Sequence, residues 1–456
     1  GKPVHQFGGV LMQRCSRESV MSEPVVPDGL SRRKFLGGSL AVAGVALVAA
    51  CSGGSGSSSG GGSSSFAFWD MPWGSPGPDY LAAGQEITGG FSGGSAQYQS
   101  ISWDGWLQTF SSAIAAGTGP AISTGGAFQS LQYYVQDAIH PADGVIAKLE
   151  SAGQLGDFLP GTIDAFKYQG AYTALPWNVD SRLFWYRKSL LEAAGVDEPR
   201  SWDDLYQAGV ALKKNGVYGM IASGGAGGNA YQTFLSFVFN NGGGLFNAAG
   251  EPECVTDLNV EAVEFLIKLS RDGIMDPGSV SYTVANVNDQ FAAGAAAMSI
   301  LPPDIANSFE DEQLKADITL GSPLSSPNGT KGTMAYTSDL MLYTGDWDLE
   351  VVEDFAVYYL DAMADYWKQG VLNKVPVRQS ILDLPEVQDQ PNLVKATEEW
   401  LPVGRNLTQL ASEPFPEINA IDGGQAITQW AQEVIQAEGS AEQILQTLQA
   451  GLEQVM

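Results

Sequence analysis

No covalent staple is available to the folded part of this chain, so its stability must come from buried cores alone. Its cysteines are Cys15, Cys51 and Cys254. Cys51 ends an apolar run, Leu40 to Ala50, that follows Ser31-Arg32-Arg33-Lys34-Phe35-Leu36. A paired arginine, a short apolar core and small residues before a cysteine predict a twin-arginine export signal with lipoprotein cleavage at Cys51. A membrane span needs roughly 20 apolar residues, more than this run supplies. Cleavage removes Cys15 and acylation consumes Cys51, which leaves Cys254 without a partner and expected as a buried spectator. Residues 1–50 are thus read as the leader, with Met21 the more natural start.

Residues 51–65, the acylated cysteine and a run of only Ser and Gly, bury nothing and behave as a random-coil tether whose typical span is roughly 20 Å. Two or three acyl chains suffice for stable attachment, whereas one is marginal. The expected location is therefore the extracytoplasmic face of the cell membrane, held by lipid only. The remaining chain is long enough for two domains with their own cores. Its charge is lopsided: the first 50 residues carry 6 Lys or Arg and 3 Asp or Glu, leaving 17 basic against 48 acidic residues. Nucleic acid and anionic lipid surfaces need a basic face and are disfavoured as partners.

Histidine is as scarce as cysteine. With His5 in the leader, His140 is alone, so a Cys/His metal cluster is excluded and a Ser-His-Asp triad would have to use that residue. No nucleophile motif lies beside Ile139-His140-Pro141. Neither a catalytic residue, a cofactor nor a metal site is expected.

Along the body, Phe66 to Asp70 reads as a short strand stopped by Pro72, Gly74 and Pro76. Trp103, Trp106, Leu107, Phe110 and Ile114 have helical spacing and close at Gly117, with Trp103 and Trp106 expected as core anchors. Ala121 to Gly126 reads as a buried strand entering a loop. Ser201 predicts a helix cap, with Leu205, Ala208 and Leu212 inward and Gly216 as the stop. Asp257 is expected to cap another helix that ends at Gly273, Phe355 to Met363 fits a longer one, and the chain from Gln425 on is helical. Strands alternating with helices predict α/β lobes with mainly parallel sheets.

Five blocks then carry a resemblance. They are Lys167 to Trp177, Leu183 to Val196 with Pro199 to Leu205, Asn240 to Phe246, Phe291 to Met298, and Val375 to Arg378. In this order the chain from about residue 66 to 456 resembles the extracellular solute-binding proteins of sugar importers, the family that includes maltose-binding protein. The resemblance implies a two-lobed, type II periplasmic-binding-protein-like α/β fold with discontinuous lobes and a hinge. Crossings are expected near Leu175 to Trp177, Asn328 to Gly332 and Lys374 to Val377. Residues 66–176 and 332–374 would form one lobe, and 177–331 and 375–456 the other. A monomer that captures a carbohydrate between its lobes and hands it to ABC transporter permease subunits is the implied function.

Sugars present hydroxyls at their edges and C–H groups on their faces, so aromatic planes, carboxylates, amides and Arg are their natural partners. On that basis Trp69 and Asp70 are candidates at the end of the first strand. Trp177, Asn178 and Asp180 follow the first crossing, where Arg182 reads as a salt-bridge residue. Tyr231 follows the glycine-rich loop, Tyr336, Ser338 and Asp339 follow the second crossing, and Arg378 ends the Pro-Val-Arg match. Each also has a structural reading: a core aromatic, a turn or cap, or a hinge-bracing ion pair. Two departures stand out. Ala121 replaces the family's frequent Asp, and Ile300-Leu301-Pro302-Pro303-Asp304 lacks its stacking Trp. Gly225 to Ala230 fits the relaxed dinucleotide fingerprint, although an exported protein rarely meets such cofactors, and a flexible loop is the preferred meaning. A secreted glycoside hydrolase with a carboxylate pair, or a binder of peptide, polyol or cation, remains open.

Overall fold

The computed structural model describes residues 65–72, 76–126 and 128–456. The export signal, Cys51 and most of the tether lie outside the described residues, as does Gly74. The strands are β1 (Ser65–Asp70), β2 (Ser95–Ser100), β3 (Ile122–Thr124), β4 (Ile139–His140), β5 (Lys167–Tyr168), β6 (Ala171–Tyr172) and β7 (Leu175–Ser181). They continue as β8 (Leu183–Arg187), β9 (Tyr218–Met220), β10 (Ala296–Leu301), β11 (Ile318–Leu320), β12 (Thr333–Tyr343), β13 (Val375–Pro376) and β14 (Gly404–Arg405).

These strands build two main sheets. The larger has the order β13-β7-β12-β3-β1-β2, with β4 and β14 also paired to β12, and the smaller runs β11-β8-β10-β9. The sheets are mixed rather than mainly parallel. Although β1 runs parallel to β2 and β3, the long strand β12 is antiparallel to β3, β4 and β7, and β8 is antiparallel to β10 and β11.

Sheet membership changes at Arg182, between β7 and β8. The boundary expected at 176/177 therefore falls inside β7, and the one expected at 374/375 falls at β13, which pairs with β7 in the first sheet. The Arg182 backbone is held on both sides of the passage: its N–H donates to the Met334 carbonyl at 2.7 Å, and its carbonyl accepts from the Thr333 hydroxyl.

Local sequence explains most helices. Ser201 accepts from the Asp204 N–H at 3.1 Å and starts Trp202–Lys214, whose Leu205, Ala208 and Leu212 are buried. That chain reverses at Gly216, which has φ 74, a conformation that costs glycine little. The next cap is shifted by one: Thr256, not Asp257, caps Asp257–Arg271. Helix Ala230–Asn240 is buried nearly all round, packed among β10, β12, Asp257–Arg271 and Gln425–Gln436. At its end the Asn240 amide donates to the carbonyls of Leu324 and Gly332 and accepts from Trp202. The Asn240 to Phe246 block thus clamps the return to the first sheet.

One aromatic helix departs from expectation. Trp106–Ala116 buries only Phe110, Trp103 precedes it, both tryptophans are half-buried, and Leu107 is 48% exposed. Cys254 is buried as expected, and burial pushes its thiol up to about 12. No helix among the described residues is long and apolar enough to cross a membrane.

Candidate ligand cleft

A cavity of about 690 Å³ opens over the strands that connect the sheets. Its floor is Val179 of β7 with Ala335, Tyr336 and Thr337 of β12. One wall comes from Phe128, Ser130 and residues 160–168, the other from residues 401–414. The second wall begins at β14, paired with the start of β12, and from Gln409 on is seated on the smaller-sheet side: Gln409 donates to the Gly243 carbonyl, the Ser412 N–H to the Ala248 carbonyl, and Phe415 packs edge-on against Phe246 at 4.9 Å. A void of this size suits a small organic ligand.

The lining supplies both halves of sugar recognition. Phe128, Phe166, Tyr168 and Tyr336 offer aromatic surface, while Ser130, Thr173, Asn406 and Gln409 offer neutral hydrogen-bonding groups. Among the described lining residues, Asp164 and Glu413 balance Lys167 and Arg405. Such balance suits a neutral solute better than a phosphate, which calls for a cationic cluster.

Of the ten candidates, Tyr336 alone lines this cavity. Trp69 is 8% exposed and packs edge-on against Phe110 at 5.1 Å. Asp70 is fully buried and accepts from the hydroxyls of Tyr80, Tyr98 and Thr124; burial raises its pKa against the effect of those bonds. Trp177 is 0% exposed beside Tyr366, and Asn178 is buried, accepting from the Ser338 hydroxyl at 3.0 Å. The reason is topological: β7 lies inside the sheet between β12 and β13, and all seven of its residues are buried. Arg378 takes the bracing role instead, donating to Asp157 at 2.6 Å and to the Leu360 carbonyl at 2.8 Å. Asp339 is buried under the cavity wall, accepts from the Ser130 N–H at 3.0 Å, and is pushed up to about 7 by burial. His140 sits in β4, paired with Leu342. Ser123 and Thr124, the hydroxyl residues that follow Ala121, are turned inward and bond to Tyr343 and Asp70.

Asp180, Tyr231 and Tyr336 do come together, in a buried polar chain that touches every crossing. Lys374 donates to Asp180 at 2.6 Å and to Asp304 at 3.0 Å. Arg182 donates to Asp180 at 2.7 Å and to the Gln232 side-chain amide oxygen at 2.6 Å. Gln232 donates to the Tyr231 hydroxyl at 3.0 Å, and the hydroxyls of Tyr231 and Tyr336 both donate to Asp422, at 3.1 and 2.8 Å. Burial penalises the Asp180 carboxylate, yet Arg182 and Lys374 outweigh it and hold its pKa below the usual value. At Asp422 desolvation outweighs the two tyrosine hydroxyls and the Arg182 charge, and pushes it up to about 6. Lys374, named in the sequence only as the start of a crossing, and Asp422 complete this polar chain, and no motif marks either as a polar partner.

Residues 78–366 match the model of the bacterial extracellular solute-binding protein family. A sugar transporter of Arthrobacter chlorophenolicus A6, solved with bound laminaribiose, is 41% identical, with 86% of this chain and 99% of that one covered at a TM-score of 0.78. The sugar-binding protein MalE of Xanthomonas citri matches at 19% identity, covering 86% and 97% of the two chains at a TM-score of 0.71, which shows the two-lobed α/β fold alone. A putative binding protein of Brucella abortus (strain 2308) is 25% identical over 253 residues, 54% of this chain. The match spans 59% of that relative's length.

Proposed function

Because the chain belongs to the bacterial extracellular solute-binding protein family, we propose that it captures a neutral carbohydrate and delivers it to the permease subunits of an ABC transporter. The observation that carries the reading is the charge-balanced, aromatic-lined cavity seated on the crossing strands. A disaccharide of the laminaribiose type is the first ligand to test, given what the 41% identical Arthrobacter protein holds.

The working parts are two lobes divided where the chain changes sheets. Residues 65–181 and 333–388 build one, and 183–320 and 391–456 the other, so the expected boundaries move to follow β7 and β13. Closure is a hinge motion about the crossings, stabilised by a solute that both walls touch. The polar chain from Lys374 to Asp422 fixes the register of the crossing strands as they bend. In the cell the protein would act as a monomer, held at the outer face of the membrane by acylated Cys51 and the Ser/Gly tether.

The test is a thermal-shift screen against neutral mono- and oligosaccharides with product analysis of every mixture. A ligand at a hundred times its Kd adds about 2.7 kcal/mol of stability. A saturable melting shift without products supports capture. Release of shorter sugars would instead identify a hydrolase working through a carboxylate pair.

A further inference from the structure

The hairpin β5–β6 turns through Gln169 and Gly170, with φ of 48 and 84. Two positive φ values make a type I′ turn, in which the glycine is at ease and the glutamine is not. The hairpin belongs to the first-sheet side of the cavity. The Ala142 N–H donates to the Tyr172 carbonyl, the Tyr172 N–H donates to Asp143, and Tyr168 packs edge-on against Tyr134. From its tip the Gln169 N–H donates to the Glu413 carboxylate at 2.6 Å. Glu413 is carried by the opposite wall, anchored to residues 243–248. Tyr168 and Glu413 both line the cavity, so this bond bridges its mouth from wall to wall.

We propose that Glu413 and the Gln169 amide form a clasp across the cavity mouth, which makes Glu413 a positioning residue that sets how long a bound solute stays. The proposal rests on the cavity being the solute cleft. The bond joins a charged side chain of one wall to the backbone of the other at the solvent-exposed edge, so it exists only while the walls are close. A solute enters before the clasp forms and leaves only after it breaks. Because the mouth is latched with or without solute, loss of the bond speeds entry as well as exit. The clasp needs no ligand atom and forms in the empty protein as well.

Hydrogen exchange at the Gln169 amide, followed by mass spectrometry on the whole protein without sugar, reads the clasp directly. Glu413→Ala is expected to speed exchange there at least tenfold, with Glu413→Gln intermediate and Gln169→Gly, which keeps the N–H, still protected by Glu413. Equal exchange in wild type and Glu413→Ala overturns the clasp. Because no ligand is involved, a sugar panel that binds nowhere counts against the capture reading and leaves this result standing. In stopped-flow binding of laminaribiose, Glu413→Ala should raise the dissociation rate about tenfold and the association rate with it. An unchanged dissociation rate there contradicts the assigned role.

Discussion

Replacing Asp180 by Asn removes the carboxylate that Lys374 and Arg182 share and leaves both cations buried. Removing one partner of a buried ion pair costs about 3–5 kcal/mol. Here the lower end applies, since Lys374 keeps the partly exposed Asp304 and Arg182 keeps Gln232. Unfolding entropy of roughly 2.1 cal/mol/K per residue makes 1 kcal/mol worth about 1.2 °C in a body of this size, so the melting point should fall by about 4 °C. Calorimetry across pH supplies the second check. The folded-state pKa of Asp180 lies below its ordinary value, so its contribution is complete above about pH 4 and is lost as pH falls through the lower folded value. The gap between wild type and variant should accordingly close only in that acid range. Lys374→Met, which leaves Asp180 paired with Arg182, should cost less, and the double variant should be less destabilised than the sum of the two single changes. A melting point within 1 °C of wild type at pH 7, or strict additivity, would refute the claim that these groups act as one buried network.

Two further outcomes follow from burial. Trp177→Ala should cost about 3–5 kcal/mol of stability through the cavity it leaves, measured by denaturant unfolding; near-wild-type unfolding with weakened sugar binding would return Trp177 to the site. Asp339, pushed up to about 7, loses stability as pH rises from its unfolded value near 4 to about 7, so Asp339→Asn should melt higher than wild type at pH 8, and that advantage should vanish near pH 4.

What the sequence made legible was local. The strand from Phe66 to Asp70, the Ser201 cap and the glycine stops at 216 and 273 each depend on a few adjacent residues, and all are present. Ligand contacts depend instead on segments far apart in the chain. The polar run Trp177, Asn178, Asp180 has the chemistry of a sugar site, but β7 is buried between β12 and β13, and only Val179 of it, an apolar residue, faces the void. The cavity wall from Leu401 to Pro414 has no motif at all, since its role comes from being folded back over β12 and residues 243–248. The one missed signal was in view: Gln169-Gly170 between Lys167-Tyr168 and Ala171-Tyr172 is a two-residue hairpin, and its tip reaches the cleft mouth.

Isothermal titration of wild type and Tyr336→Ala with laminaribiose tests the central claim most directly, because Tyr336 is where cavity floor, crossing strand and polar chain coincide. The account expects saturable one-to-one binding by wild type, at least tenfold weaker in the variant, with the sugar recovered intact. Equal affinity in both proteins, or glucose released from the disaccharide, would contradict it.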